Sequence, residues 1–245
     1  MFLFPILIMT GFPIEVAAAN SLISLFLPSL LASIHNHRRG EINYRLGLGL
    51  EIPTAIGAML GANLTILLPP EILHMIFGCL ALIMAYLMMN KVRRGEGIDK
   101  KQKTWFDKLV SFGPKLNYKN GQESASIGII VLIVAGGVSG LLAGMFGVGA
   151  GWIKTPLMIV GFGVISNIAS ATATFMIIIT SAVGGYVHFL HGSFDVVFLP
   201  LTLGLLIGAE IGCKIRDRIN VRIITFVVII SLILISLTMF GMLWI

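Results

Sequence analysis

Residues 147–156, Gly-Val-Gly-Ala-Gly-Trp-Ile-Lys-Thr-Pro, combine the groups that could bind a small anion. Alternating glycines oppose a regular helix, because each costs about 1 kcal/mol relative to Ala. Residues 149–152 would therefore present backbone N–H groups at the start of a short helix, where the helix dipole is positive. Lys154 adds a full positive charge. This combination predicts an oxyanion site, and in transporters such helix breaks lie at the substrate.

Each of these residues also has a structural interpretation. The glycines could form a tight turn between helices, Trp152 could anchor at the lipid headgroups, and the Lys154 side chain could extend to the membrane interface.

Neutral hydrogen-bonding side chains form a second candidate group. Asn20 and Ser21 correspond in sequence context to Thr172 and Thr174, and we expect a two-fold axis to bring the two pairs face to face at mid-membrane. The alternative for any one of them is a bond to its own helix or to a neighbouring helix. The candidate substrate-binding residues are Asn20, Ser21, Gly149, Ala150, Gly151, Trp152, Lys154, Thr172 and Thr174.

Two carboxylates lie inside apolar segments, where an ionised group costs about 3 kcal/mol unless it is paired, protonated or hydrated. Glu210 has Lys214 four residues later, which suits an ordinary ion pair. Glu51 has no such local partner and is a candidate for proton coupling. The alternative is that Glu51 pairs with Arg45 or with a group on a neighbouring helix.

A catalytic interpretation rests on Ser139, within Gly-Val-Ser-Gly, and His188, which resemble the serine and histidine of rhomboid-type intramembrane proteases. Ser139 also lies in a stripe of glycines with four-residue spacing, which packing explains. We therefore expect a protein that is not an enzyme. The two cysteines, Cys79 and Cys213, lie in or at the end of apolar spans and are expected to be small buried apolar residues. No metal site or disulfide framework is predicted.

The composition places all of these residues in a membrane. The chain is 57% hydrophobic and 11% charged, and its mean hydropathy is +0.98. Apolar runs of about 20 residues each match the hydrocarbon thickness. The runs predict an all-α polytopic protein with about seven full transmembrane helices, at residues 14–34, 45–67, 71–90, 125–146, 166–190, 196–213 and 223–244. Residues 2–10 and 152–162 are too short to cross and predict broken or re-entrant helices.

Charge predicts the orientation. Residues 91–122 contain nine Lys and Arg against three Asp and Glu, a net charge of +6 that equals the net charge of the whole chain. The positive-inside rule places this linker in the cytoplasm, together with residues 35–39 and 214–222. A topology determinant explains the linker better than a nucleic-acid patch, so no nucleic-acid partner is predicted. The orientation requires the short segment 152–162 to return the chain across the membrane.

The chain also repeats itself at an offset of 151–153 residues. Residues 18–21 match 171–174, 40–43 match 192–195, and 57–61 match 208–212. Since equivalent spans must run in opposite directions, the repeat is inverted. The predicted units are residues 1–90 as the first repeat, 91–122 as the linker and 123–245 as the second repeat. The second repeat begins with the span at residues 125–146 and the glycine loop at residues 147–151. The first repeat lacks a counterpart of both, and the sequence leaves open whether the N-terminus is naturally short.

The glycine loop, the proline five residues after it and the duplicated small-polar run at residues 169–174 resemble the TauE/SafE sulfite exporter family over nearly the whole chain. Members commonly have three consecutive glycines where this chain has Gly149, Ala150 and Gly151. The resemblance implies a multi-pass inner-membrane carrier for sulfite, sulfoacetate and related sulfur oxyanions or organosulfonates, without an organic cofactor. Export by secondary transport with alternating access is the expected function, and a transporter or channel for another small anion or solute is the alternative. The expected partners are the small anion and the lipid bilayer, with a homodimer as an open option.

Overall fold

The computed structural model describes residues 3–93, 114–121, 123–146, 151–191, 195–215 and 221–241. A long helix occupies each of the seven predicted spans, and five of these helices are both long and apolar enough to cross a membrane. The all-α polytopic architecture is thereby confirmed. The helices are α1 Leu3–Met9, α2 Ile14–Arg38, α3 Tyr44–Leu67, α4 Pro70–Arg93, α5 Ile129–Phe146, α6 Gly151–Pro156, α7 Ser166–Leu190, α8 Phe198–Ile215 and α9 Val221–Gly241, with a π-helix at Leu157–Gly161.

The helix bounds follow the sequence repeat. Adding 152 to the bounds of α2 gives the bounds of α7. Helix α1 corresponds to the broken segment, which consists of α6 and the π-helix. Helix α3 corresponds to α8, and α4 corresponds to α9. The packing is exchanged in the same way, since α2 packs against α8 as α7 packs against α3.

Helices α2 and α7 run antiparallel. Near the start of α2, the Asn20 side-chain oxygen accepts a hydrogen bond from the Asp195 N–H, just beyond the end of α7 (3.3 Å). Near the start of α7, the Thr172 hydroxyl accepts one from the Asn43 N–H, just beyond the end of α2 (3.0 Å). These bonds are counterparts, because both residue numbers differ by 152. The antiparallel pair is what an inverted repeat requires.

The broken segment returns the chain, as the orientation argument predicted. Helix α5 runs parallel to α3, with Gly136 beside Leu50 and Gly144 beside Ala58. Helix α7 also runs parallel to α3, since Asn43 contacts Thr172 and Glu51 contacts Thr180. The segment between α5 and α7 must therefore run in the opposite direction, and it does so as α6 followed by the π-helix.

Two strands were not predicted. Residues 125–128, assigned above to a transmembrane span, instead belong to strand β2, Glu123–Gly128, which pairs antiparallel with β1, Lys115–Asn120. Part of the predicted linker is therefore a hairpin. The dipeptide Asn120-Gly121 is a strong hairpin signal, and Gly121 has a φ of +68°. The apolar residues Leu116, Tyr118, Ala125 and Ile127 alternate along the two strands.

Only some of the glycine stripes pack helices together. In the α3–α5 interface, a Cβ at Gly140 would lie 2.1 Å from the Thr54 carbonyl oxygen, and one at Gly61 would lie 2.0 Å from that of Leu141. The glycines of α8 repeat with the same four-residue spacing, which predicts close helix packing. Instead, the described residues leave open space at its three glycines, Gly204, Gly208 and Gly212.

Candidate functional site

A buried ion pair joins the two repeats. The Lys154 ammonium of α6 donates a hydrogen bond to the Glu51 carboxylate of α3, and the Thr180 hydroxyl of α7 donates to the other oxygen of that carboxylate. Lys154 is 0% exposed and Glu51 is 1% exposed. The three side chains come from three helices and form one charge-neutral cluster, which we call the central triad.

Packing on both sides of Lys154 holds its short helix in place. Ile153 lies in a core cluster with Phe4, Phe77 and Phe146, whose rings contact one another. Met158, in the π-helix, lies in the other core cluster. Lys154 therefore points out of a segment that is anchored before and after it.

The triad answers two questions that the sequence left open. Lys154 does not extend to an interface, because its side chain is fully buried and paired. The partner of Glu51 is a group on a neighbouring helix, which was one of the alternatives, and Arg45 makes no described salt bridge with it. The pair was missed because its members are 103 residues apart. A usable signal was present: both charges lie in apolar segments without a local partner.

Asn20 and Ser21 are buried polar residues with unused hydrogen-bonding capacity. Their exposures are 0% and 1%. Among the described residues, the Asn20 side-chain nitrogen and the Ser21 hydroxyl have no hydrogen-bond partner. A buried polar group without a partner costs about 1–3 kcal/mol, so both groups are available to a ligand.

The corresponding residues of the second repeat are already engaged. Thr172 is fully buried and bonds to the Asn43 N–H, as described above. The Thr174 hydroxyl donates to the Ser170 carbonyl of its own helix at 2.8 Å, which was the structural interpretation considered for it. Contact of either with substrate stays a prediction.

The expected face-to-face cluster does not form. Leu22 lies beside Gly184, where a Cβ would be 2.9 Å from the leucine Cδ1, so Asn20 and Ser21 lie near the C-terminal end of α7. Thr172 precedes Gly184 by twelve residues, or about 18 Å of helix. The correction has a simple cause. In an antiparallel helix pair, equivalent residues away from the crossing point lie at opposite ends.

A cavity of about 530 Å³ lies between the β-hairpin and the loop that follows α2. Its polar lining includes the charged residues Glu41 and Arg45 and the neutral residues Asn43, Asn117 and Tyr118. None of Glu51, Lys154 and Thr180 is among its lining residues, and all three side chains are buried. The triad therefore does not line this cavity.

The other candidate substrate-binding residues lie in the glycine loop and at the start of α6. Gly149 and Ala150 lie outside the described residues, and the structure gives only the helical backbone of Trp152. Gly151 is buried against α7, where a Cβ would lie 2.5 Å from Ile177 Cδ1.

No protease dyad is assembled among the described residues. The Ser139 hydroxyl donates to the Gly136 carbonyl at 3.0 Å, and the His188 ring lies 3.4 Å from the Gly144 carbonyl, five residues further along α5. Within the same described part of the chain, His, Cys, Asp and Glu form no group of three that could hold a metal ion.

Known proteins match this chain over most of its length. A sequence model of the family described as Sulfite exporter TauE/SafE matches residues 1–239. The Bacillus subtilis (strain 168) protein named Probable membrane transporter protein YunE is 27% identical over 227 residues, covering 91% of this chain and 79% of that protein. Probable membrane transporter protein YdhB of the same organism is 27% identical over 207 residues, covering 82% and 75%. No solved structure matches the chain.

Proposed function

This chain belongs to the TauE/SafE sulfite exporter family, and from that premise we propose that it exports small anions by secondary transport with alternating access. The proposed substrates are sulfite, sulfoacetate and related sulfur oxyanions or organosulfonates. We place the protein in the inner membrane, with residues 91–122 in the cytoplasm because of their positive charge.

The central triad is the observation that carries this proposal. Lys154 is a cation inside a membrane protein, and an intramembrane charge is by default a functional candidate. It lies three residues after Gly151, in the broken segment, and it contacts α3 of the other repeat. A rocking motion of one repeat against the other would thus act directly on the charge that binds the anion.

The remaining polar groups suit an access path at each end. The cavity on the cytoplasmic side of the proposed orientation is lined by one charge of each sign, Arg45 and Glu41, and by neutral groups that include Asn43. Asn20 and Ser21 offer neutral donors toward the opposite end. Neutral donors favour release as well as binding.

The proposal is tested by flux into proteoliposomes containing the purified protein. Sulfite, thiosulfate, sulfoacetate, taurine and bicarbonate are compared at equal concentration, with empty liposomes as the control. We expect the sulfur oxyanions to move fastest. A preference for bicarbonate, or flux no faster than in empty liposomes for all five compounds, would contradict the proposed function.

A further inference from the structure

We infer that Glu51 is a proton-binding site whose occupation releases Lys154 to hold the transported anion, so that each anion crosses with one proton. This inference rests on the proposed function and adds to it a coupling ion and the residue that carries it. It follows from the geometry and charge of the central triad.

The charges of the triad link anion binding to protonation. In the structure, the positive charge of Lys154 is neutralised by Glu51, and neither side chain reaches solvent. An anion that approached this ammonium would place two negative charges beside one positive charge in a poorly polarisable environment. If Glu51 takes up a proton, Lys154 and the anion form the neutral pair instead. Anion binding and Glu51 protonation are therefore linked.

Protonated Glu51 also needs a hydrogen-bond partner. The Thr180 hydroxyl, which donates to Glu51, lies 3.2 Å from the Met176 carbonyl oxygen of its own helix. After protonation, the Glu51 acid can donate to the Thr180 oxygen while the Thr180 hydroxyl donates to Met176. The triad thus has a bonding arrangement for each protonation state, with one hydroxyl rotation between them.

Among the described residues, the elements packed around Glu51 place one charged group beside it. Helix α5, which packs along α3, contains no charged or titratable side chain. Helix α7 offers Thr180 at the carboxylate, and its titratable side chains, Tyr186 and His188, lie about 9 Å and about 12 Å further along the helix. The charged residues of α2 are near its ends, and the hairpin meets α3 through Leu116 beside Gly49. Lys154 is therefore the charged group that faces Glu51 among the described residues.

A purely structural role explains the triad less well. A buried ion pair rarely stabilises a protein more than well-packed apolar residues of similar volume would. This pair also joins the two repeats, which alternating access would move against each other. Coupling has a consequence for energetics: cotransport of one proton with a monovalent anion moves no net charge. The anion and proton gradients, rather than the membrane potential, would then set the direction.

The test counts protons per anion. Proteoliposomes with a pH-sensitive dye in the lumen are given radiolabelled sulfite, and initial proton and sulfite fluxes are measured for the wild type, Glu51→Gln and Glu210→Gln. Glu210 is the matched control, because it pairs with Lys214 on the surface of α8. Protons carried by sulfite itself are common to all three proteins. We expect the proton-to-sulfite ratio to fall by one in Glu51→Gln and to stay at the wild-type value in Glu210→Gln.

A binding experiment covers the case in which Glu51→Gln is too slow for flux measurements. Calorimetry of sulfite binding, in buffers with different ionisation enthalpies, gives the protons taken up per anion bound. We expect one proton fewer for Glu51→Gln than for the wild type, and wild-type uptake for the control Glu210→Gln. Equal proton uptake in wild type and Glu51→Gln would overturn the coupling role and leave the proposed function intact. A wild type that neither binds nor moves sulfite would contradict both for this anion.

Discussion

Lys154 and Glu51 each depend on the other, because water does not reach either charge. Lys154→Ala would leave a buried carboxylate unpaired, which costs about 3–5 kcal/mol, and we expect it to lose anion transport. Lys214→Ala is the control, since this side chain is 71% exposed and its pair is accessible to water. Flux at matched amounts of folded protein distinguishes the two. Equal losses would remove Lys154 from the binding site.

The instability of that variant can be separated from its loss of function. Glu51→Gln together with Lys154→Gln removes both charges while keeping side chains of similar size. We expect this double variant to be more stable than Lys154→Ala in thermal unfolding, because no unpaired charge remains, and to remain inactive. If the double variant transported sulfite at the wild-type rate, the positive charge would be unnecessary.

Ser21 offers a test in which stability and function should separate. Its buried hydroxyl has no described partner, so Ser21→Ala removes an unsatisfied group and should keep or raise thermal stability. One lost hydrogen bond to the anion, about 1 kcal/mol, would weaken binding about fivefold. Ser29→Ala is the matched control on the same helix, because the Ser29 hydroxyl donates to the Phe26 carbonyl. An equal affinity in wild type and Ser21→Ala would exclude Ser21 from the site.

At the level of helices and strands, the stripes of glycine have different roles that one substitution can separate. A Cβ at Gly140 would overlap the Thr54 carbonyl oxygen, so Gly140→Ala must push α3 and α5 apart. We expect it to cost roughly 1–3 kcal/mol, measured as a lower unfolding temperature. Gly208→Ala meets open space among the described residues and should be tolerated. Comparable losses in both variants would mean that α8 is packed as closely as α5.

The hairpin has a pH limit that follows from Tyr118. Burial raises the pKa of the Tyr118 hydroxyl to about 12, and the protonated hydroxyl donates to the Phe162 carbonyl at 3.3 Å. Because the folded-state pKa lies above the ordinary value of about 10, this group stabilises the fold below pH ~10. Its contribution is lost as the pH rises toward 12. Absorbance titration of wild type against Tyr118→Phe should isolate one late-ionising phenol, whereas ionisation near pH 10 would contradict this burial.

Sequence reasoning worked where a local pattern decides the structure and failed where a distant partner does. Long apolar runs identified the spans, and a constant offset identified the repeat, since both are properties of contiguous residues. The Lys154–Glu51 contact could not be read in this way, because nothing within one helix specifies which segment packs beside it. The hairpin was missed although Asn120-Gly121 signalled it, because the neighbouring apolar residues were assigned to a longer helix.

For the molecule as a whole, the hydrogen bonds Asn20–Asp195 and Thr172–Asn43 define two equivalent ends of one antiparallel helix pair. Alternating access would require these ends to open in turn. In this conformation Asn43 is bonded to Thr172, and the triad does not line the adjoining cavity. A residue at each end should therefore report the orientation and, when substrate is added, the movement.

The orientation test uses cysteines in a background that lacks Cys79 and Cys213. Asn117→Cys places a thiol on the hairpin beside the cavity, and His191→Cys places one just beyond the opposite end of α7. A membrane-impermeant maleimide should label residue 191 from outside intact cells and residue 117 only after the inner face is exposed, because the basic segments are proposed to remain in the cytoplasm. Sulfite should change the rate at residue 117 in the wild-type background but not with Lys154→Ala. Labelling of both thiols from one side would contradict the proposed orientation, in which residues 117 and 191 lie on opposite faces of the membrane. If sulfite still changed the labelling rate at residue 117 in Lys154→Ala, the cavity would move without anion binding at Lys154.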